Sequence, residues 1–231
     1  MAVHYQTSGF VLGKTNLREA DQLFSVYTKD FGKLEILGKA IRKIASKLRS
    51  AAELFYLSEI EFIQGKNYKT LTDVILIEKF KNIRNDLERL KIASRITEVA
   101  EDLIGGEERD EKIWDLLNEV FDKLENYELR IKNYELVYFY FLWHLLSILG
   151  YQIDLYHCAI CQKKLRPGKL YFNLEKGGIV CCGEGEEISS DAIKILRLFL
   201  KNDWQILKRL KIRDFHKKEL ESISKSAMMN V

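Results

Sequence analysis

Cys158, Cys161, Cys181 and Cys182 are the only cysteines among 231 residues, and all four fall in one short stretch. Thiols clustered in this way, in a chain whose first residues read as polar and are not expected to form a secretory segment, point to metal ligation more readily than to disulfides. Cys158-Ala159-Ile160-Cys161 is a Cys-x2-Cys turn that presents two thiolates from one knuckle, and a second knuckle about 20 residues later can complete a zinc tetrahedron. Gly177-Gly178-Ile179-Val180-Cys181-Cys182-Gly183 supplies that second knuckle irregularly. Regular spacing would put the fourth thiolate at position 184, which is Glu184, and two adjacent cysteines reach one ion only with strain. The expected ligand set is Cys158, Cys161, Cys181 and Cys182, with Glu184, His157 or water as alternatives for the fourth place. Zinc here would be structural, a clip for a lobe of about 30 residues that is too small to build its own core.

Other chemistries find little support. None of His4, His144, His157 and His216 has a glutamate two residues on, so the zinc-deaminase pattern is missing. Gly13-Lys14-Thr15 suggests a phosphate loop, but that loop requires glycine at position 8, which is Ser8. No Gly-x-Ser-x-Gly, His-Glu-x2-His or Gly-x-Gly-x2-Gly motif occurs. His144, within an apolar helical pattern, reads as a core histidine. The expectation is a protein that is not an enzyme.

The formal net charge is only +3, which excludes a uniformly polycationic protein, yet charge is segregated along the chain. Lys29, Lys33, Lys39, Arg42, Lys43, Lys47 and Arg49 face only Asp30 and Glu35, a local excess able to attract polyphosphate. The acidic surplus is confined to residues 81–130. The most apolar run, Leu136 to Gly150, is shorter than the roughly 20 residues a membrane span needs, and a cytoplasmic location is expected.

These groups need elements to hold them. Gly9–Gly13, Leu23–Thr28, Lys33–Gly38, Leu54–Ile63 and Thr70–Ile77 have the alternation and turn residues of five short strands. Without a long amphipathic helix such a set must close on itself, which favours an OB-fold barrel, with an SH3-like barrel as the alternative. From Lys79 the period becomes helical, predicting helices over 87–103, 110–124 and 133–149, the third apolar on nearly every face and so central to a bundle. Ser189-Ser190-Asp191 caps a later helix, and residues 222–231 are expected to fray. The fold class is α+β: an N-terminal five-stranded OB-fold barrel over 1–80, then an all-α helical domain over 81–231 with a zinc-ribbon-like lobe inserted at 155–187.

Ser8-Gly-Phe-Val-Leu, Arg18-Glu-Ala-Asp-Gln-Leu, Thr28-Lys-Asp-Phe-Gly-Lys-Leu, Gly38-Lys-Ala-Ile-Arg, Ser46-Lys-Leu-Arg and Thr70-Leu-Thr-Asp resemble, in order and spacing, the N-terminal OB domain of the RecO recombination-repair family. Cys158-x2-Cys161 and Gly177-Gly-x2-Cys181 fall where that family carries a zinc-binding lobe. The resemblance covers most of the chain, and its specificity lies in the ordered set. It implies a bacterial, nucleoid-associated mediator of DNA recombination and repair. Such a mediator binds single- and double-stranded DNA, anneals complementary strands and, with RecR, helps load RecA onto DNA coated by single-strand-binding protein. Under that resemblance Lys39, Arg42, Lys43, Lys47 and Arg49 would track phosphates and Tyr68 would stack on a base. The basic segment with Lys208, Arg209, Lys211, Arg213, Lys217 and Lys218 would extend the DNA surface, receive the acidic C-terminal tail of single-strand-binding protein, or form a solvated helix face. Two positions depart from the family: Glu184 replaces a cysteine, and Gln162 stands where a glycine often follows the first knuckle. A rival expectation is a protein-interaction scaffold whose barrel mainly binds RecR and whose own DNA affinity is weak.

Overall fold

The computed structural model describes residues 3–126, 133–201, 204–207 and 209–229. By packing, the chain divides into two compact units, Met1–Tyr127 and Glu128–Val231.

The first unit begins with β1 (His4–Asn16), β2 (Gln22–Thr28), β3 (Gly32–Gly38), β4 (Leu57–Ile63) and β5 (Lys69–Glu78). They form a closed barrel in the order β1-β2-β3-β5-β4, with β4 pairing back onto β1. The β3–β5 pairing is parallel, Ile36 opposite Lys69 and Leu37 opposite Thr70, while the other pairs are antiparallel. At 13 residues β1 is long enough to serve both neighbours, and a bulge between Val11 and Gly13 bends it around the barrel. Alternating residues point inward, Phe24 and Val26, Leu34 and Ile36, and Ile60 and Phe62, joined in one buried cluster by Leu71 and Val74, which flank a register irregularity in β5. Ile41, Ala51 and Ala52, between β3 and β4, close one opening of that core.

Three helices follow in the same unit, α1 (Lys81–Asn85), α2 (Leu87–Leu103) and α3 (Glu111–Asn126). Asp86 caps α2 by accepting from the N–H groups of Glu88 and Arg89. The packing unit extends past residue 80 because the barrel's outer surface is apolar here. Phe10 is fully buried, with ring centroids 5.2 Å from Phe121 and 5.4 Å from Trp114, and Phe80 lies 5.3 Å from Phe121. An aromatic layer of this kind cannot be left in water.

In the second unit α4 (Glu135–Ile148) buries every residue from Leu136 to Trp143 together with Leu145 and Leu146, as expected of a central helix. Around it lie α5 (Ser190–Phe199), α6 (Trp204–Leu207) and α7 (Asp214–Met228). The terminal segment does not fray as expected: α7 continues to Met228 because Leu220, Ile223 and Ala227 are buried. Between α4 and α5 a small lobe carries β6 (Tyr171–Asn173), β7 (Gly178–Val180) and β8 (Glu186–Glu187), in the order β7-β6-β8. Phe172 anchors the lobe edge-on to Trp143, centroids 6.0 Å apart. Among the described residues no helix is long and apolar enough to cross a membrane.

Candidate nucleic-acid interface and metal centre

After Gly38 the chain leaves the barrel in a segment fixed at three points. Ala40 takes a left-handed conformation (φ 52°) and donates its N–H to Asp21 Oδ1 at 2.7 Å. Arg42 donates its N–H to the Ala20 carbonyl at 3.0 Å and its Nη1 to the Glu19 carbonyl at 3.1 Å. Ile41, Ala51 and Ala52 are buried. Between these anchors Lys39, Arg42, Lys43, Lys47 and Arg49 are all exposed, and among the described residues none of them joins an ion pair. Five cations without counter-charges on one fixed segment form a positive edge suited to a phosphate backbone.

Tyr68 is placed elsewhere. It is half-buried and lines a cleft with Lys33, Glu35, Asn67, Lys69 and Glu107, to which none of the five cations contributes. It immediately precedes β5, whose first residues Lys69 and Thr70 pair with Ile36 and Leu37 of β3.

An acidic stretch that the sequence reading gave no role, Glu101 to Asp110, lies across the outer face of β2, β3 and the start of β5. Lys33 Nζ donates to the Glu101 carbonyl at 2.6 Å, and the Lys33 N–H donates to the Gly106 carbonyl at 3.2 Å. Lys69 Nζ pairs with Glu107 Oε1 at 2.6 Å, and the Tyr27 hydroxyl donates to the Asp110 carbonyl at 2.9 Å. Gly32 has φ +66°, and a Cβ there would lie 2.4 Å from the Glu108 carbonyl oxygen, so only glycine admits the stretch this closely. The one signal in the sequence was the confinement of acidic surplus to residues 81–130. Lys208 of the C-terminal basic segment lies outside the described residues. In the same segment Lys217 pairs with Glu135 at 2.8 Å.

The four cysteines converge. Their Sγ atoms all lie within 4.8 Å of one another, with Cys158 to Cys182 at 3.8 Å and Cys161 to Cys181 at 3.6 Å. A tetrahedral ion with metal–sulfur bonds of about 2.3 Å requires sulfur–sulfur edges of about 3.8 Å, so the residues fit such an ion. Adjacent Cys181 and Cys182, expected to reach one ion only with strain, both bring their sulfurs into the cluster. The chain bends at 181–183 instead of continuing β7, so the alternation that would aim them to opposite faces is lost. His157 Nδ1 instead faces Asp154 Oδ2 at 3.2 Å, and neither His157 nor Glu184 is part of the cluster. Gln162, at φ 59°, adopts the left-handed conformation that favours glycine at this place.

Cys158 is fully buried. Burial alone would raise its thiol, but the N–H groups of Cys161, Cys181 and Ile160 outweigh it and hold Cys158 down at about 5. Two of these contacts to Sγ measure 3.5 Å (Cys161) and 3.4 Å (Cys181). Cys182 is pushed up to about 12 by its contacts with the Cys161 and Cys158 sulfurs, and Cys181 is raised for the same reason. Four crowded sulfurs, one of them already favouring the thiolate, form a donor set that a soft divalent ion could take.

Comparison with known proteins accords with these features. The model for the N-terminal part of recombination protein O matches residues 1–80, and the model for its C-terminal part matches residues 84–228. A DNA repair protein RecO of Dehalococcoides mccartyi is 36% identical over 222 residues, covering 94% of this chain and 86% of the relative. A DNA repair protein RecO of Moorella thermoacetica is 30% identical, covering 95% and 83%, and one of Thermoanaerobacter sp. strain X514 is 29% identical, covering 94% and 88%. With both halves matched and relatives aligned over nearly the whole length, the chain belongs to the RecO family of DNA repair proteins.

Proposed function

We propose that the chain is a non-enzymatic recombination mediator that binds single- and double-stranded DNA through the segment from Lys39 to Arg49. In this reading it anneals complementary strands and, with RecR, helps load RecA onto DNA coated by single-strand-binding protein, whose acidic tail it also binds. The observation that carries the reading is the set of five exposed cations without ion-pair partners among the described residues on a barrel whose strand order, with β3 parallel to β5 and β4 returning to β1, is that of an OB-fold. Annealing follows from a cationic surface that screens repulsion between two strands, and it needs no nucleotide. Residues 1–80 then form the OB domain and 81–231 the helical domain, with the lobe at 155–187 as a zinc-ribbon-like insertion in a cytoplasmic, nucleoid-associated protein. Cys158, Cys161, Cys181 and Cys182 would hold the zinc, which when bound supplies a structural clip between the two knuckles. Tyr68 remains a candidate base contact only at the edge of this surface.

Titration of a fluorescent single-stranded oligonucleotide at several salt concentrations tests the reading. Neutralising about five phosphates gives a salt slope near −3.5, a loss on the order of 100-fold between 50 and 200 mM salt. Lys43→Ala, Lys47→Ala and Arg49→Ala together remove most of that slope. Equal binding by wild type and triple variant overturns the assignment. A second reading, a scaffold whose barrel mainly binds RecR, is favoured by Ile75, Leu76 and Ile77, which are 56%, 37% and 51% exposed on β5.

A further inference from the structure

The second unit has a groove that none of the preceding roles uses. A cavity of about 500 Å³ lies between the start of the cysteine lobe and α5, lined by Asp154, Leu155, Tyr156, Arg197, Leu200 and Lys201. On its other side Arg197 also lines a smaller groove with Arg166, Pro167 and Lys194, so Arg197 joins the two. Lys194, Arg197 and Lys201 recur at three and four residues and share one side of the helical path, while Ile193, Leu196 and Phe199 are buried. From Lys194 to Lys201 is about 10 Å at the helical rise.

Arg197 is fixed. Its Nε donates to the Leu155 carbonyl at 3.0 Å, and its Nη2 donates to the same oxygen. Its guanidinium carbon lies 4.5 Å from the centroid of the Tyr156 ring. The tyrosine is 46% exposed, so a large aromatic side chain is held at the surface by a cation instead of being buried. Lys194 pairs with Asp191 at 2.8 Å, but Arg166 and Lys201 have no ion pair among the described residues. Among the described residues the one carboxylate lining the larger groove, Asp154, is turned back into its own loop, where it accepts from the N–H groups of Tyr156 at 2.7 Å and His157 at 2.9 Å.

We propose that the groove is a second binding site for single-stranded nucleic acid, in which Tyr156, backed by Arg197, stacks on an unpaired base while Arg166 and Lys201 meet the flanking phosphates. The inference rests on the DNA-binding reading above and adds a site remote in sequence from the barrel segment. An exposed aromatic ring among cations serves a strand with free base faces. A duplex, whose bases are already stacked, gains only from the cations. Two single-strand sites on one chain also suit annealing, because each can hold one of the strands to be paired.

The test measures binding of fluorescent oligo(dT) and of a blunt duplex by the full chain, comparing wild type, Tyr156→Ala, Tyr156→Phe and Arg166→Ala/Lys201→Ala. Stacking of one base predicts a loss of roughly 5- to 100-fold in oligo(dT) affinity for Tyr156→Ala, with duplex binding unchanged and Tyr156→Phe near wild type, since the ring is kept. Arg166→Ala/Lys201→Ala lowers the single-strand salt slope by about 1.4. Matching thermal transitions show that the variants fold. Wild-type oligo(dT) binding by Tyr156→Ala and by the double variant overturns the site, and if Lys43→Ala/Lys47→Ala/Arg49→Ala still loses binding, the barrel assignment survives alone. Unchanged oligo(dT) binding with lost binding of an Asp-rich peptide would overturn it in favour of an acidic-peptide surface. No DNA binding by wild type would overturn both.

Discussion

Lys33 Nζ donates to the main-chain carbonyl of Glu101 at 2.6 Å, binding the outer face of β3 to the end of α2. A lysine that the charge pattern counts as part of a basic run is therefore spent on an internal contact. Lys69 is similarly held, by Glu107. OB-type barrels commonly receive single strands on the face of strands 2 and 3, and here that face carries the acidic stretch from Glu101 to Asp110. Phosphates arriving there would meet carboxylates, which favours the proposed path along the exposed segment from Lys39 to Arg49.

Removing the carboxylate at Glu107 tests this division. Glu107→Gln frees the Lys69 ammonium, so single-strand affinity is expected to rise severalfold at low salt and the salt slope to steepen by about 0.7, one further phosphate. The titration described above reads both. An unchanged slope would mean that Lys69 stays out of reach of DNA even when unpaired.

The Tyr27 contact gives a pH signature. Burial pushes the Tyr27 phenol up to about 12, while its hydrogen bond to the Asp110 carbonyl is a smaller opposing influence. Its folded pKa thus lies above the unfolded value near 10, so the stabilisation is complete below pH 10 and is lost as pH rises toward 12. The size is on the order of 2 kcal/mol. Tyr27→Phe should flatten the fall in stability across that window, measured by urea unfolding at a series of pH values. The same slope in both proteins would place the phenol outside the alkaline transition.

Much of the barrel was legible because inward residues such as Phe24, Val26, Leu34 and Ile36 alternate strictly, and alternation is what a half-buried strand writes into a sequence. The central helix was legible for the opposite reason, since an element buried on all sides has no polar stripe. Packing on the outer side of the barrel was not legible. Phe10 and Tyr27 lie in strands that other residues already define, and nothing local says that α3 or the Asp110 carbonyl will cover them. Spacing placed the four cysteines together but implied strain in the Cys181–Cys182 pair, because a two-residue period applies only while a strand continues. Tyr68 was grouped with the basic residues by proximity in sequence, whereas the fold sets it in a cleft with Glu35 and Glu107.

The geometry of the four sulfurs predicts that zinc binding needs both Cys181 and Cys182. Zinc content measured by atomic emission on protein purified without chelator should approach one ion per chain and fall sharply in Cys181→Ser and in Cys182→Ser alike. A strong chelator should lower the thermal transition of wild type and have little effect on either variant. Full zinc content in Cys182→Ser would return the fourth place to Glu184, His157 or water. Cys158→Ala should cost more stability than alanine at Cys181 or Cys182, because Cys158 is buried and its sulfur accepts two N–H groups that alanine would leave without an acceptor.

The β5 surface separates partner binding from DNA binding. β5 pairs with β3 only at Lys69 and Thr70, yet the strand continues to Glu78. Its last part carries Ile75, Leu76 and Ile77 in contact with water. A strand end with little pairing on one side and three exposed β-formers is an aggregation liability unless something covers it. A protein partner adding a strand or an apolar surface is the usual solution. Ile75→Asp/Ile77→Asp is expected to cost little stability, since both side chains are already exposed, and to leave the oligo(dT) salt slope unchanged. Under the mediator reading, co-elution with RecR on size exclusion should weaken at least tenfold in the variant. Retained RecR binding would move the partner surface off this strand. Lost DNA binding with intact RecR binding would instead place the nucleic-acid path across β5.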